Sequence, residues 1–306
     1  MSQQKVQFEN KNGQGITMAA VINFPENFDR SLKYPAIVVT HPGGGVKEQT
    51  AGLYAKRLAE AGFITIAYDA SYQGESTGEP RQLENPYIRT EDISAVIDYL
   101  TTLPYIDSER IGAMGICAGG GYTANAAIND HRIKAVGGVS AVNIGAMFRN
   151  GWDGSQKAED AFPVLMGGAA VRTAEANGAE MAMFPLAPTT KEEAPNKEME
   201  EAWEYYRTPR ACCSTAPSVA PVRCFTQLVT YDAFNLAELF LTQPLLLVAG
   251  SAAGSKWYSE DLYKRAASAD KTLHIVKGAD HMQMYDIPQY VDEAVAALIS
   301  FFKKNI

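Results

Sequence analysis

Basic residues are in the minority and nowhere clustered: 27 lysines and arginines face 35 aspartates and glutamates, a formal charge of -8. A surface that tracks phosphates needs the opposite balance, so neither nucleic acid nor an anionic membrane is expected as a partner. No apolar run approaches the ~20 residues that cross a bilayer. The polar stretch from Ser2 to Gly15 lacks the basic-then-apolar order of a signal peptide. A cytoplasmic protein with no membrane partner is the expectation. Cysteine is scarce, and Cys117, Cys212, Cys213 and Cys224 show no C-x-x-C spacing, which speaks against a thiolate metal site. A chain of 306 residues buries enough core to need no disulfide staples, so all four are expected as reduced thiols. Neither a metal nor an organic cofactor is implied. Histidine is equally scarce, four in all, which narrows the search for a general base. Internal repeats and low-complexity tracts are missing, which excludes solenoid architectures.

What remains is an ordinary globular composition, 46% hydrophobic and 20% charged, and its order along the chain is informative. Two strand-like stretches, Val6 to Glu9 and Ile16 to Asn23, flank Asn12-Gly13, a hairpin signal. Pro35 to Thr40 is a short continuous apolar run, the mark of a strand covered on both faces, and Phe63 to Tyr68 is the next strand. Between them, Thr50 to Ala61 has helical spacing and stops at Gly62. Thr90 is expected to cap a helix whose Ile93, Val96, Ile97 and Leu100 share a face, and Asp107 to Arg110 to turn into the next strand. Lys134 to Ser140 is another buried strand. The rhythm then stops for roughly a hundred residues, far beyond an ordinary connection, and resumes at Pro244 to Gly250. A helix over Asp261 to Ala267, a strand over Thr272 to Val276 and a last helix from Pro288 close the chain. This pattern divides the chain into a core of residues 1–140 and 244–306 and a helical insertion of residues 141–243. Within the insertion Met199, Trp203 and Tyr206 recur on one helical face, with Glu198, Glu201 and Glu204 elsewhere. That stripe reads as a small helical core, compatible with a lid.

The stretch Ala113-Met-Gly-Ile-Cys-Ala-Gly-Gly-Gly121 follows an apolar run and precedes a small-residue helix. It has the form of a nucleophile elbow, a sharp strand-to-helix turn, with sulfur where the commoner version has a hydroxyl. Gly115, Gly119 and Gly120 provide the room such a turn requires. The thiol of Cys117 would face the positive end of the following helix, which favours the thiolate. The plainer alternative is a buried cysteine at a glycine-rich junction.

The elbow after the fifth strand, the insertion after the sixth and a histidine after the last resemble the α/β-hydrolase superfamily. The elbow with cysteine is similar to the dienelactone-hydrolase-like proteins. His41-Pro-Gly-Gly-Gly45, Arg110 to Tyr122, Pro244 to Ser251 and Gly278 to Asp286 look like uncharacterised bacterial hydrolases and polyketide-transferase-type α/β hydrolases of fungi. The resemblance implies an α/β-hydrolase fold: a mostly parallel eight-stranded sheet with helices on both faces and a helical insertion as lid. It makes Cys117 the nucleophile and His281 the base. The oxyanion hole would use the backbone N-H of Ala118 and one from the glycine loop, Gly43 or Gly44; one such donor is worth about 3 kcal/mol. Dienelactone-hydrolase-like enzymes use a glutamate near that loop to influence the thiol, whereas Glu48 itself reads as a solvated residue at a helix start.

The acid is where the chain departs from the pattern. The loop after Pro244 to Ala249 reads Gly-Ser-Ala-Ala-Gly-Ser255, with no carboxylate before Glu260. Asp280 is expected to point away and Asp232 would have to reach in from the insertion, so the third member is unassigned. A thiol ionises with less help than a hydroxyl, so cysteine at the elbow and a missing acid are mutually consistent. The expected function is hydrolysis of an ester, lactone or thioester through a Cys117 acyl-enzyme, with a small-molecule acyl substrate. Acyl transfer to an alcohol or carrier, and a non-catalytic binding protein on the same scaffold, are the alternatives. The oligomeric state, including a homodimer, stays open.

Overall fold

A computed structural model describes residues 2–306. Its main sheet is built from β1 (Ser2–Asn10), β2 (Ile16–Phe24), β3 (Tyr34–Thr40), β4 (Ile64–Tyr68), β5 (Ile106–Ile116), β6 (Ile133–Val139), β9 (Leu245–Gly250) and β10 (Lys271–Val276). The spatial order is β1-β2-β4-β3-β5-β6-β9-β10. Only the β1–β2 and β2–β4 pairs are antiparallel; every other pair is parallel. The short strands β7 (Met183–Pro185) and β8 (Val219–Pro221) pair with each other, away from the main sheet.

The apolar run read as a doubly covered strand is so covered. In β3, Ala36 and Val38 pack into the core on one side of the sheet and Ile37 and Val39 into the core on the other, as the period of two requires. Helices α1 (Thr50–Glu60), α2 (Pro86–Thr101), α3 (Ala118–Asn129), α9 (Lys256–Arg265) and α11 (Pro288–Asn305) connect or close the strands. In α11 Val291, Val295, Leu298 and Phe302 face inward and are buried, worth roughly 1.5–3 kcal/mol each. Between β6 and β9 the chain forms α4 (Ile144–Asn150), α5 (Phe162–Ala176), α6 (Lys197–Arg207), α7 (Phe225–Leu228) and α8 (Ala237–Phe240); α10 (Gln283–Asp286) follows β10. No helix among the described residues is long and apolar enough to cross a membrane.

Local details differ from expectation. Helix α2 begins at Pro86, and its cap is Asn85, whose side chain accepts from the N-H of Tyr87 at 3.0 Å. Proline lacks the N-H that a first turn leaves unpaired anyway, so it extends the helix upstream; Thr90 lies inside, its hydroxyl donating to the Pro86 carbonyl at 3.0 Å. Asp107 to Arg110 belongs to β5. Tyr34 pairs with Ile106 and Ala36 with Ile111, so the residues between bulge out of register rather than precede the strand. Helix α9 starts at Lys256, ahead of the expected Asp261, directly after Ser255.

Candidate active site

Parallel strands leave their binding crevice outside their carboxyl ends, where the loops after β3, β5, β9 and β10 converge. Cys117 sits between β5 and α3 with φ 57° and ψ -127°, a conformation that costs a non-glycine residue about 1–3 kcal/mol. Three backbone bonds hold it: the Cys117 N-H donates to Val139 O at 3.0 Å, and its carbonyl accepts from Gly120 and Val142, both at 2.9 Å. A side chain at Gly115 would collide with the Gly119 carbonyl, and one at Gly119 with the carbonyls of Thr40 and His41. These glycines let helix, elbow and oxyanion loop approach one another.

Cys117 lines a cavity of about 260 Å³ together with His281, Tyr285 and Tyr206. His281 comes from the loop after β10 and is buried. Its Nδ1 lies 2.6 Å from Ser255 Oγ and its Nε2 3.1 Å from the Tyr285 hydroxyl, while the Trp152 ring packs on it edge-to-face at 4.6 Å. The Tyr285 hydroxyl also acts on Cys117 and Tyr206, easing the ionisation of each. It therefore stands between thiol and imidazole. The other histidines are elsewhere. His41 is buried, its Nδ1 2.7 Å from Pro42 O and its Nε2 accepting from Ala70 N-H at 3.2 Å; His274 pairs with Glu293 at the surface, and His131 is exposed.

The charge state expected of the thiol is corrected. Burial pushes the Cys117 thiol above its ordinary value, outweighing hydrogen bonds from Tyr285 and from the N-H groups of Ala118 and Gly43; the Glu84 carboxylate adds to the rise. Burial likewise lowers His281 to about 3. Desolvation disfavours both charged forms, so the resting pair is a neutral thiol and a neutral imidazole, and the orienting force of a helix terminus does not overcome it. Of the two glycines considered for the oxyanion hole, Gly43 lines the cavity and faces the sulfur, as does Ala118. Gly44 is not part of the cavity lining, and a side chain there would meet Leu186 and Ser218.

Neither aspartate weighed as the acid hydrogen-bonds the imidazole, whose partners are Ser255 and Tyr285. Asp280 accepts from Gln283 N-H at 2.9 Å, and Asp232 accepts from Asn143 at 2.6 Å and Arg265 at 3.2 Å. The position against Nδ1 is held by Ser255, visible in the sequence only as the end of a loop without carboxylates. A carboxylate does reach the same loops, by another route. Glu198 on α6 accepts from the backbone N-H of His281 at 2.9 Å, from Gly254 N-H at 3.2 Å and from Trp152 Nε1-H at 2.6 Å. It thereby fastens the loop that carries Ser255 to the loop that carries His281. Of the stripe Met199, Trp203 and Tyr206, only Met199 and Tyr206 reach the cavity, joined there by Ala202 of the same helix; Trp203 is outside the lining.

Beneath the elbow a buried ion pair, Arg89–Glu84 at 2.8 Å, supports the oxyanion loop. Arg89 donates to the His41 carbonyl at 2.8 Å, and the Tyr122 hydroxyl of α3 donates to Glu84 at 2.7 Å. Glu48 is solvent-facing and pairs with Lys47 at 2.6 Å, away from the cavity. The rest of the cavity wall is apolar: Ile144, Met147, Trp152, Leu186, Met199 and Met282.

Residues 18–140 match the model of the Dienelactone hydrolase family. Over its 306 residues the chain is 62% identical to the uncharacterized protein YcjY of Escherichia coli (strain K12), with 100% of both chains covered. The crystal structure of the hypothetical protein PA2218 from Pseudomonas aeruginosa superposes with a TM-score of 0.89 at 32% identity, covering 100% of this chain and 94% of that one. The α/β hydrolase GrgF from Penicillium sp. sh18 shares the fold, with a TM-score of 0.81 at 19% identity over 100% of this chain and 99% of its own.

Proposed function

From the match of residues 18–140 to the Dienelactone hydrolase family and the fold shared with an α/β hydrolase, we propose that this chain is an acyl hydrolase, cleaving an ester, lactone or thioester through an acyl-enzyme on Cys117. The observation that carries this is one cavity lined by Cys117, His281 and Tyr285, with the Tyr285 hydroxyl bonded to the imidazole at 3.1 Å. Residues 141–243 act as the cap over a core of residues 1–140 and 244–306, since Leu186, Met199 and Tyr206 from that segment close the cavity.

With both groups neutral, ionisation accompanies attack. The thiol proton passes to the Tyr285 oxygen as the Tyr285 proton passes to His281 Nε2, and the sulfur bonds to the acyl carbon. In the resting arrangement the sulfur itself faces the N-H groups of Ala118 and Gly43. As it turns to the carbonyl carbon, the developing oxyanion takes over those two donors. The bond to the leaving group then breaks, and the proton on His281 goes to the departing oxygen or sulfur. Water attacks the thioester with His281 accepting its proton, and the carboxylic acid leaves as the proton returns to the Cys117 sulfur. Ser255, bonded to Nδ1, keeps Nε2 aimed at Tyr285, an orienting role without a full charge.

The test is intact-mass analysis after incubation with p-nitrophenyl acetate. One acetyl adduct is expected, mapped to Cys117 and absent from Cys117→Ala. Turnover that survives this substitution ends the proposal.

A further inference from the structure

We propose that the acyl group taken by this site is uncharged and apolar, and that acyl groups ending in a carboxylate are rejected. The inference rests on the hydrolase reading and adds the substrate class to it. No lysine, arginine, aspartate or glutamate lines the cavity beside the Cys117 sulfur. Of its polar side chains, the Tyr285 hydroxyl is committed to His281, His281 Nδ1 to Ser255 and Trp152 Nε1-H to Glu198 at 2.6 Å, which leaves the neutral Tyr206 hydroxyl. The nearest guanidinium groups are outside the lining and each has a carboxylate partner: Arg89 pairs with Glu84 at 2.8 Å and Arg210 with Asp286 at 2.7 Å, although Arg89 Nε has no partner of its own. A carboxylate entering this space would surrender its water and find no cation to pair with, which buried charge does not tolerate.

An apolar chain meets the opposite situation. Met147, Met199 and Met282 give the wall three flexible, polarizable side chains that adapt to different chain shapes. At about 30 Å³ per non-hydrogen atom, by analogy with a water molecule's share of liquid volume, 260 Å³ accommodates roughly nine such atoms. The matching substrates are esters or thioesters of short to medium neutral acids.

The experiment compares p-nitrophenyl hexanoate with the mono-p-nitrophenyl ester of adipic acid, which shares its leaving group and chain but ends in a carboxylate. The expected kcat/KM ratio is at least about 100-fold in favour of hexanoate at neutral pH, and a ratio below about threefold overturns the assignment. Leu186→Arg, placing a cation in the wall, is expected to narrow the ratio by about tenfold or more; Met147→Lys serves the same purpose should that variant not fold. A folded variant of either kind that keeps the wild-type ratio also overturns it. Acetylation of Cys117 by p-nitrophenyl acetate separates the two ideas. With acetylation and a ratio near one, the hydrolase reading stands and the substrate class fails; without acetylation, both fail.

Discussion

Replacing Glu198 by alanine asks whether a carboxylate that never touches the imidazole nevertheless keeps it in place. Three donors converge on Glu198: His281 N-H at 2.9 Å, Gly254 N-H at 3.2 Å and Trp152 Nε1-H at 2.6 Å. A buried donor left without a partner costs about 1–3 kcal/mol. The site is only part-buried, so water reaches some of the vacated positions, and a total loss of about 2 kcal/mol in unfolding free energy is expected. Catalysis should suffer more than stability. The loops carrying Ser255 and His281 lose their common anchor, and a displacement near 1 Å in a reacting group costs about 100-fold. We expect kcat/KM for p-nitrophenyl acetate to fall by between about 10- and 100-fold in Glu198→Ala. Glu204→Ala, which loses only a surface pairing with Arg210 at 3.2 Å on the same helix, should stay within about 0.5 kcal/mol in stability and twofold in rate. Urea unfolding and steady-state kinetics on the two proteins decide the matter. A folded Glu198→Ala with activity within twofold of wild type would refute the anchoring argument.

Ser255→Ala removes the partner of His281 Nδ1 and is expected to lower kcat/KM by about two- to tenfold, since one such bond is worth roughly 0.5–1.5 kcal/mol; no change would show that packing alone orients the ring. Tyr285→Phe keeps the ring and deletes the hydroxyl between sulfur and imidazole. Single-turnover acylation should slow at least about tenfold with the fold retained, and an unchanged rate would exclude the relay. Because His281 is held near 3, kcat/KM should show no acid limb near pH 6.5, and a limb there would contradict the neutral resting pair. The same shift links to stability. The folded value lies below the unfolded ~6.5, so the unfolded chain protonates first, and stability is lost as pH falls from about 6.5 toward 3, at up to about 1.4 kcal/mol per pH unit. Between pH 7 and 5, wild type should therefore lose about 2 kcal/mol more than His281→Gln in urea titrations; parallel losses would count against the assignment.

Several parts of this protein were legible because the interactions that specify them are local. The apolar runs at Pro35 to Thr40 and Pro244 to Ala249 announce doubly covered strands through continuous hydrophobicity, and β3 and β9 occupy them. The elbow is legible for a steric reason: glycines crowd the one place where helix and strand backbones nearly touch. Once the order of strands is known, His281 stands out as the histidine after the final strand. The N-terminus of α2 was misplaced because a proline start extends a helix beyond its apolar stripe.

The neighbours of the imidazole were beyond sequence reasoning. Ser255 lies 26 residues from His281 in the chain, and Glu198 lies 83 away. Nothing in residue type or spacing tells a glutamate that folds inward onto backbone donors from Glu204, which stays at the surface. Charge state behaves in the same way. A helix start can be read from the order of residues, and it pointed to a thiolate. How much water the sulfur and the ring lose cannot be so read, and that loss is what leaves both neutral. Periodicity and backbone sterics, acting between residues close in sequence, determined the sheet, the elbow and the candidate nucleophile; desolvation and hydrogen bonds between distant segments, which exist only after the chain has closed on itself, decided what surrounds them.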